Sequence, residues 1–121
     1  MIPEFLYHGT TKQWHDEQIK RHDCYKGHPI YLSESLESAS EHALERKRKF
    51  DKASPLLLII DGSKIKERIT TDKSNVKKYT IPQLNSEEYI IVDLPANGVT
   101  REVIIEAKRK VKEAFGKELE F

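Results

Sequence analysis

A single cysteine, Cys24, excludes an intrachain disulfide and makes a reducing compartment the simpler setting. Long apolar runs are missing: no segment approaches the roughly 20 residues needed to cross a bilayer, so no membrane partner is expected. The chain reaches Glu4 before any apolar run develops, which argues against an ordinary signal peptide. Charge of one sign is lacking too. With 21 basic and 20 acidic residues the net charge is +1, and composition alone points to no polyanion. There is no repeat, no low-complexity stretch and no linker, and 121 residues fit one domain with one core, spanning 1–121. These absences predict a soluble, cytoplasmic monomer or small oligomer.

What is present is a set of short apolar runs separated by polar ones. Phe5-Leu6-Tyr7 is β-prone and stops at Gly9, and Trp14 to Arg21 fits a short helix with Trp14 and Ile19 as its apolar positions. Asp23 to Pro29 reads as a loop broken by Gly27 and Pro29, after which Ile30-Tyr31-Leu32 resumes a strand. Ser33 or Ser35 can cap a helix running to about Phe50, with Leu36, Ala39, Ala43 and Leu44 on one face. Leu56 to Ile60 is a continuous apolar run, read as a central strand buried on both sides. Asp72 to Asn85 is polar and reads as irregular. Glu88 to Asp93 and Glu102 to Glu106 read as two strands paired as a hairpin through Asn97-Gly98, followed by a terminal helix over Lys108 to Glu120. Strands and helices do not alternate regularly, so the expected class is α+β.

Three of these runs carry a polar side chain beside apolar neighbours: His8 in Leu6-Tyr7-His8-Gly9-Thr10, Tyr31 in Pro29-Ile30-Tyr31-Leu32-Ser33, and Glu88 in Glu88-Tyr89-Ile90-Ile91-Val92-Asp93. Singly, each has an ordinary structural reading: a strand-end histidine, a half-buried tyrosine, a solvated glutamate. Jointly they can hold a nucleotide, stack an aromatic ring and stabilise a cationic sugar.

The set resembles the His-Tyr-Glu class of ADP-ribosyltransferases, the group of diphtheria toxin and the poly(ADP-ribose) polymerases. His8-Gly9-Thr10 is similar to the first-strand motif. Gly27 to Leu32 with Ser38-Ala39-Ser40 is similar to the tyrosine strand and its following helix, and Glu88 to Asp93 to the glutamate strand. The resemblance covers roughly residues 5–106. It implies split antiparallel β-sheets with few flanking helices. It also implies NAD as co-substrate and mono-ADP-ribosyl transfer to an acceptor that is a protein, a nucleic acid or a small molecule.

On that resemblance Glu88, His8 and Tyr31 are the catalytic candidates. Glu88 would bind the ribose hydroxyl beside the charge developing at C1′, and Tyr31 would stack on the cationic nicotinamide. His8, Gly9, Thr10, Tyr31, Ser38 and His42 would contact NAD, the backbone beside Gly9 taking the carboxamide. His42 or Glu41 stands where the polymerases carry a second tyrosine, and Ser86 stands two residues before Glu88, where other relatives carry an acceptor-directing Glu or Gln. The acceptor therefore stays open.

Two alternatives remain. RNA 2′-phosphotransferases share the fold and a His-Gly-Thr start but rely on an arginine-and-histidine set, and a non-catalytic module would only bind NAD or ADP-ribose. His15, His22, His28 and Cys24 are close in sequence, but their spacing fits no common zinc site, and no metal is expected. Arg46 to Lys49, with Lys52, form a basic cluster read as a solvated helix face or a phosphate contact. Aromatic residues do not interleave with it along the chain, which argues against a platform for stacking bases.

Overall fold

The computed structural model describes residues 2–50, 52–71 and 78–121. Its elements run β1 (Phe5–Thr11), α1 (Lys12–His22), β2 (Tyr25–Ser33), α2 (Leu36–Lys49), β3 (Pro55–Asp61), α3 (Gly62–Ile65), β4 (Thr70–Thr71) and β5 (Lys78–Leu84). A 3-10 turn (Ser86–Glu88), β6 (Tyr89–Asp93) and α4 (Arg101–Phe115) follow. The strands form one six-stranded sheet in the order β4-β5-β2-β1-β3-β6, antiparallel at every pairing. The fold is α+β, as the sequence predicts.

Alternation along the strands explains why the central ones are so apolar. Phe5, Tyr7, Leu57 and Ile59 join one buried cluster with α2 (Leu36, Ala39, Ala43) and α4 (Val103, Ala107, Val111). Leu6, Leu58 and Ile60 join another, with Tyr25, Ile30 and Leu32 of β2 and Ile81 of β5. Both faces of β3 are thus covered, and all seven of its residues are buried.

The second cluster exists because the sheet curls. β1 and β3 lie between β2 and β6, a separation of about 14 Å in a flat sheet. Yet the Tyr25 and Tyr89 rings stand 5.7 Å apart, edge to face. The same curl opens the sheet on one side. β1 pairs with β3 along its whole length, from Phe5↔Asp61 to Thr11↔Pro55, but with β2 only at Tyr7↔Ser33. Beyond that point the two strands diverge, within what is still one six-stranded sheet.

Four sequence expectations change. β2 begins at Tyr25, not Ile30, because a register irregularity between Lys26 and Ile30 absorbs Pro29 within the strand. Residues 78–84, read as irregular, form β5, with Tyr79, Ile81 and Leu84 buried; 72–77 lie outside the described residues. Glu88 closes the 3-10 turn before β6 instead of opening the strand. Glu102 to Glu106 is not a strand. It is the first part of α4, capped by the Thr100 hydroxyl, and β6 pairs with β3 rather than with it. The β-branched run Val103-Ile104-Ile105 suggested a strand, but Val103, Ala107 and Val111 continue at helical spacing, and Ile105 is left 58% exposed.

At its far end α4 gives way to a tail whose Lys117 Nζ reaches the buried Asp61 carboxylate at 2.7 Å, with Ser63 as a second donor to it. Lys117 and Ser63 hold that carboxyl below its ordinary range despite desolvation.

Gly9 is where α2 and β1 meet most closely. A Cβ there would stand 1.8 Å from the Ala39 carbonyl oxygen and 2.9 Å from the Ala43 nitrogen, both backbone atoms that cannot swing aside. Gly116, by contrast, has φ +66° but open space around it. Gly9→Ala is therefore expected to lower stability by about 3 kcal/mol, and Gly116→Ala by about 1 kcal/mol. Urea unfolding of the two variants checks this, and equal losses would contradict the packing role given to Gly9.

Candidate functional site

Where β1 and β2 part, a cleft of about 870 Å³ opens between them, walled by α1 and α2. That size suits a small-molecule or cofactor ligand. His8, Gly9, Thr10, Tyr31, Ser38 and His42 all line it, so six of the seven residues singled out in the sequence share one cavity.

Strand parity and helix register put them there. His8 follows Tyr7 and so faces away from α2, toward the gap in the sheet. Its Nδ1 lies 2.8 Å from the Tyr31 carbonyl oxygen. A carbonyl only accepts, so Nδ1 carries the proton and Nε2 presents a lone pair. Desolvation pushes the His8 pKa down to about 4, against the Tyr31 hydrogen bond that raises it and with nearby His42 and Arg46 lowering it further. At neutral pH His8 is thus an uncharged acceptor. Tyr31 is 60% exposed, an aromatic ring left unpacked by the rest of the protein. Thr10 is 1% exposed, and among the described residues its hydroxyl is the buried side-chain polar atom without a hydrogen-bond partner. Ser38 sits in the first turn of α2, its backbone nitrogen donating to the Ser35 hydroxyl that caps the helix. His42 lies one turn further and accepts from Arg46 Nε at 3.5 Å.

The cleft also gathers residues beyond the candidate catalytic and NAD-contact set, some of them, Glu41 and the basic run from Arg46, already noticed in the sequence. Trp14, expected as an apolar helix position, is 41% exposed and lines the cavity. Tyr25, read as part of a loop, lies at its floor: 1% exposed, its ring edge-on to His8 and its hydroxyl 2.7 Å from His15 Nδ1. Burial drives the Tyr25 pKa far up, so the phenol stays neutral. Gln18 joins α1 to the start of β2 by accepting from the Lys26 nitrogen. Lys26, Arg46 and Arg48 bring positive charge to the walls, and Glu41 and Glu45 bring negative. The i, i+4 spacing of Glu41 and Glu45 on α2 was a legible signal; the arrival of Trp14 and Tyr25 from other elements was not.

Glu88 is not among the residues that line the cleft. It is 6% exposed, and both carboxylate oxygens are occupied. Oε1 accepts from the Asn85 nitrogen at 2.7 Å, closing the turn between β5 and β6, and Oε2 is paired with the Arg68 guanidinium. Arg68 also donates to the Gln83 carbonyl, so this group ties the β5–β6 connection together. Among the described residues no three His, Cys, Asp or Glu side chains gather as a metal site. The side chain of His28, one of the zinc candidates, lies outside the described residues. No helix among the described residues is long and apolar enough to cross a membrane.

Because the folded His8 pKa falls from an ordinary 6.5 to about 4, the unfolded chain binds a proton between those values that the folded chain rejects. Stability should therefore rise with pH across that window and fall on acidification through it. Urea midpoints at several pH values should show this slope in the wild type and a shallower one in His8→Asn. His15, also lowered by burial, leaves part of the slope in place, and an unchanged slope would contradict the assignment to His8. In comparison with known proteins, neither a protein-family model nor a curated protein matches this chain.

Proposed function

We propose that the cleft binds NAD and that the protein transfers ADP-ribose from it to an acceptor. The observation that carries this reading is the convergence, in one split between strands, of a neutral imidazole acceptor on His8, an unpacked aromatic face on Tyr31 and an unpartnered hydroxyl on Thr10. A dinucleotide offers a matching partner for each: ribose hydroxyls that donate to Nε2, a flat cationic nicotinamide for the ring, and polar groups for the threonine hydroxyl. Arg46 and Arg48 give the pyrophosphate a cationic wall. With NAD bound, the chemistry available is opening of the nicotinamide–ribose bond. The protein's part is to orient the ring and ribose and to hold a carboxylate near C1′.

The carboxylate has two sources. Glu88 is the one the sequence motif favours, and reaching the sugar would require it to leave Arg68 and the Asn85 nitrogen. Glu41 and Glu45 already line the cleft. The closed Glu88–Arg68 pair also favours a second reading, a module that binds NAD or ADP-ribose without turning it over.

Nicotinamide release from NAD, measured beside NAD binding by calorimetry, tests both. Wild type should release nicotinamide, and Tyr31→Ala should bind NAD at least ~10-fold more weakly, consistent with loss of a desolvated stacking and cation–π contact. Glu88→Gln should cut release by about a hundredfold or more with binding retained if Glu88 is the carboxylate. The same result in Glu41→Gln or Glu45→Gln would move that role to α2. Binding with no release by any form leaves the module, and no binding rejects the proposal.

A further inference from the structure

The cleft keeps two aromatic faces open, and the function proposed above uses one of them. Tyr7 and Tyr25 also line it, but both are buried, and Tyr25 is packed among His8, His15 and Tyr89. Trp14 and Tyr31 are the exposed rings on its walls, and among the described residues neither meets another ring. A single exposed aromatic is ordinary on a protein surface. Two on the walls of one cavity, brought there by different elements, make room for two flat rings.

The indole is also held in place. Trp14 lies in the first turn of α1, where its backbone nitrogen donates to the Thr11 hydroxyl that caps the helix. In the same turn the Lys12 nitrogen donates to the Ser54 carbonyl, the Ser54 nitrogen to Gln13 Oε1, and Gln13 Nε2 to the Lys52 carbonyl. These bonds fasten the turn to the segment that follows α2. An aromatic face fixed before binding gives up little freedom when a ring stacks on it.

The same bonds order the cleft from end to end. Tyr31 stands two residues before Ser33, which pairs with Tyr7 where the strands meet, and α2 begins just beyond at Leu36. Trp14 stands instead beside the segment leaving α2, whose last turns bring Arg46 and Arg48 to the cleft wall. One aromatic face therefore lies toward the start of the helix, and the other, with two cations near it, toward the end. NAD is built to the same plan, with one ring on each side of a pyrophosphate.

We infer that Trp14 is the adenine platform of the cleft: with nicotinamide on Tyr31 and the pyrophosphate against Arg46 and Arg48, the adenine of NAD stacks on the indole. This rests on the NAD-binding reading above. Base-on-aromatic stacking needs no charge on the base, so the neutral purine is suited to the second face. The cleft then selects a dinucleotide, because nicotinamide mononucleotide fills only its Tyr31 half.

Trp14 is the only tryptophan in the chain, so its emission reports directly on what stacks against it. The test titrates wild type with ADP, which carries adenine and no nicotinamide, and with nicotinamide mononucleotide, which carries nicotinamide and no adenine, while reading tryptophan fluorescence. Calorimetry then compares NAD binding by wild type, Trp14→Phe and Trp14→Ala. Trp14 belongs to neither buried cluster, and circular dichroism melting confirms that both variants are folded.

ADP should quench the emission to saturation and the mononucleotide should not. Trp14→Ala should bind NAD at least ~10-fold more weakly, while Trp14→Phe, which keeps a ring, retains most of the affinity. Emission unchanged by ADP, quenching by the mononucleotide as strong as by ADP, equal NAD affinity in all three forms, or equal losses in both variants would overturn the inference. Failure of the NAD reading looks different, because NAD would then give neither heat nor quenching with wild type, and both would fall together. Each of these readouts is independent of turnover.

Discussion

The hydrogen bond from His8 Nδ1 to the Tyr31 carbonyl is the contact around which the candidate site is arranged. Two strands that pair at Tyr7↔Ser33 would otherwise zip onward or leave main-chain groups without partners, and buried main-chain groups are rarely left unpaired. The imidazole takes the place of a ladder donor, so the strands separate while the carbonyl remains satisfied. In making that bond the ring fixes its own tautomer, which directs the Nε2 lone pair outward. Structure and chemistry at His8 are therefore one arrangement, and replacing the ring changes both.

Much of the fold was legible where one force dominated. The apolar run of β3 and the small-residue face of α2 followed from burial alone, and of the two cap candidates, Ser33 and Ser35, the structure uses Ser35. The sequence misled where two forces competed locally. Val103-Ile104-Ile105 has the composition of a strand, yet its burial partners lie at Ala107 and Val111, and packing on the sheet decides for helix. Pro29 reads as a chain break, but a strand can absorb it at an irregularity.

For the site, motif residues close together in sequence arrived together in space: His8, Gly9 and Thr10 on one strand, Ser38 and His42 on one helix. Trp14 and Tyr25 reach the cleft only through tertiary assembly, and no spacing rule links them. Glu88 marks the limit of motif reasoning. Its letters match a catalytic pattern, while its two oxygens serve the β5–β6 turn and Arg68.

The close seat of Gly9 on Ala39 and Ala43 has a mechanical consequence. With backbone against backbone there is no slack, so β1 and α2 behave as one rigid block that carries His8, Thr10, Ser38 and His42. Tyr31 belongs to the other block, β2 with β5, and the two are joined in the sheet at Tyr7↔Ser33 alone. Outside the sheet, the core shared by Leu6, Leu32, Leu58 and Ile81 and the His8–Tyr31 bond tie the two together. The polar and aromatic faces of the cleft thus come from opposite sides of the split, and the packing of Gly9 fixes the polar one.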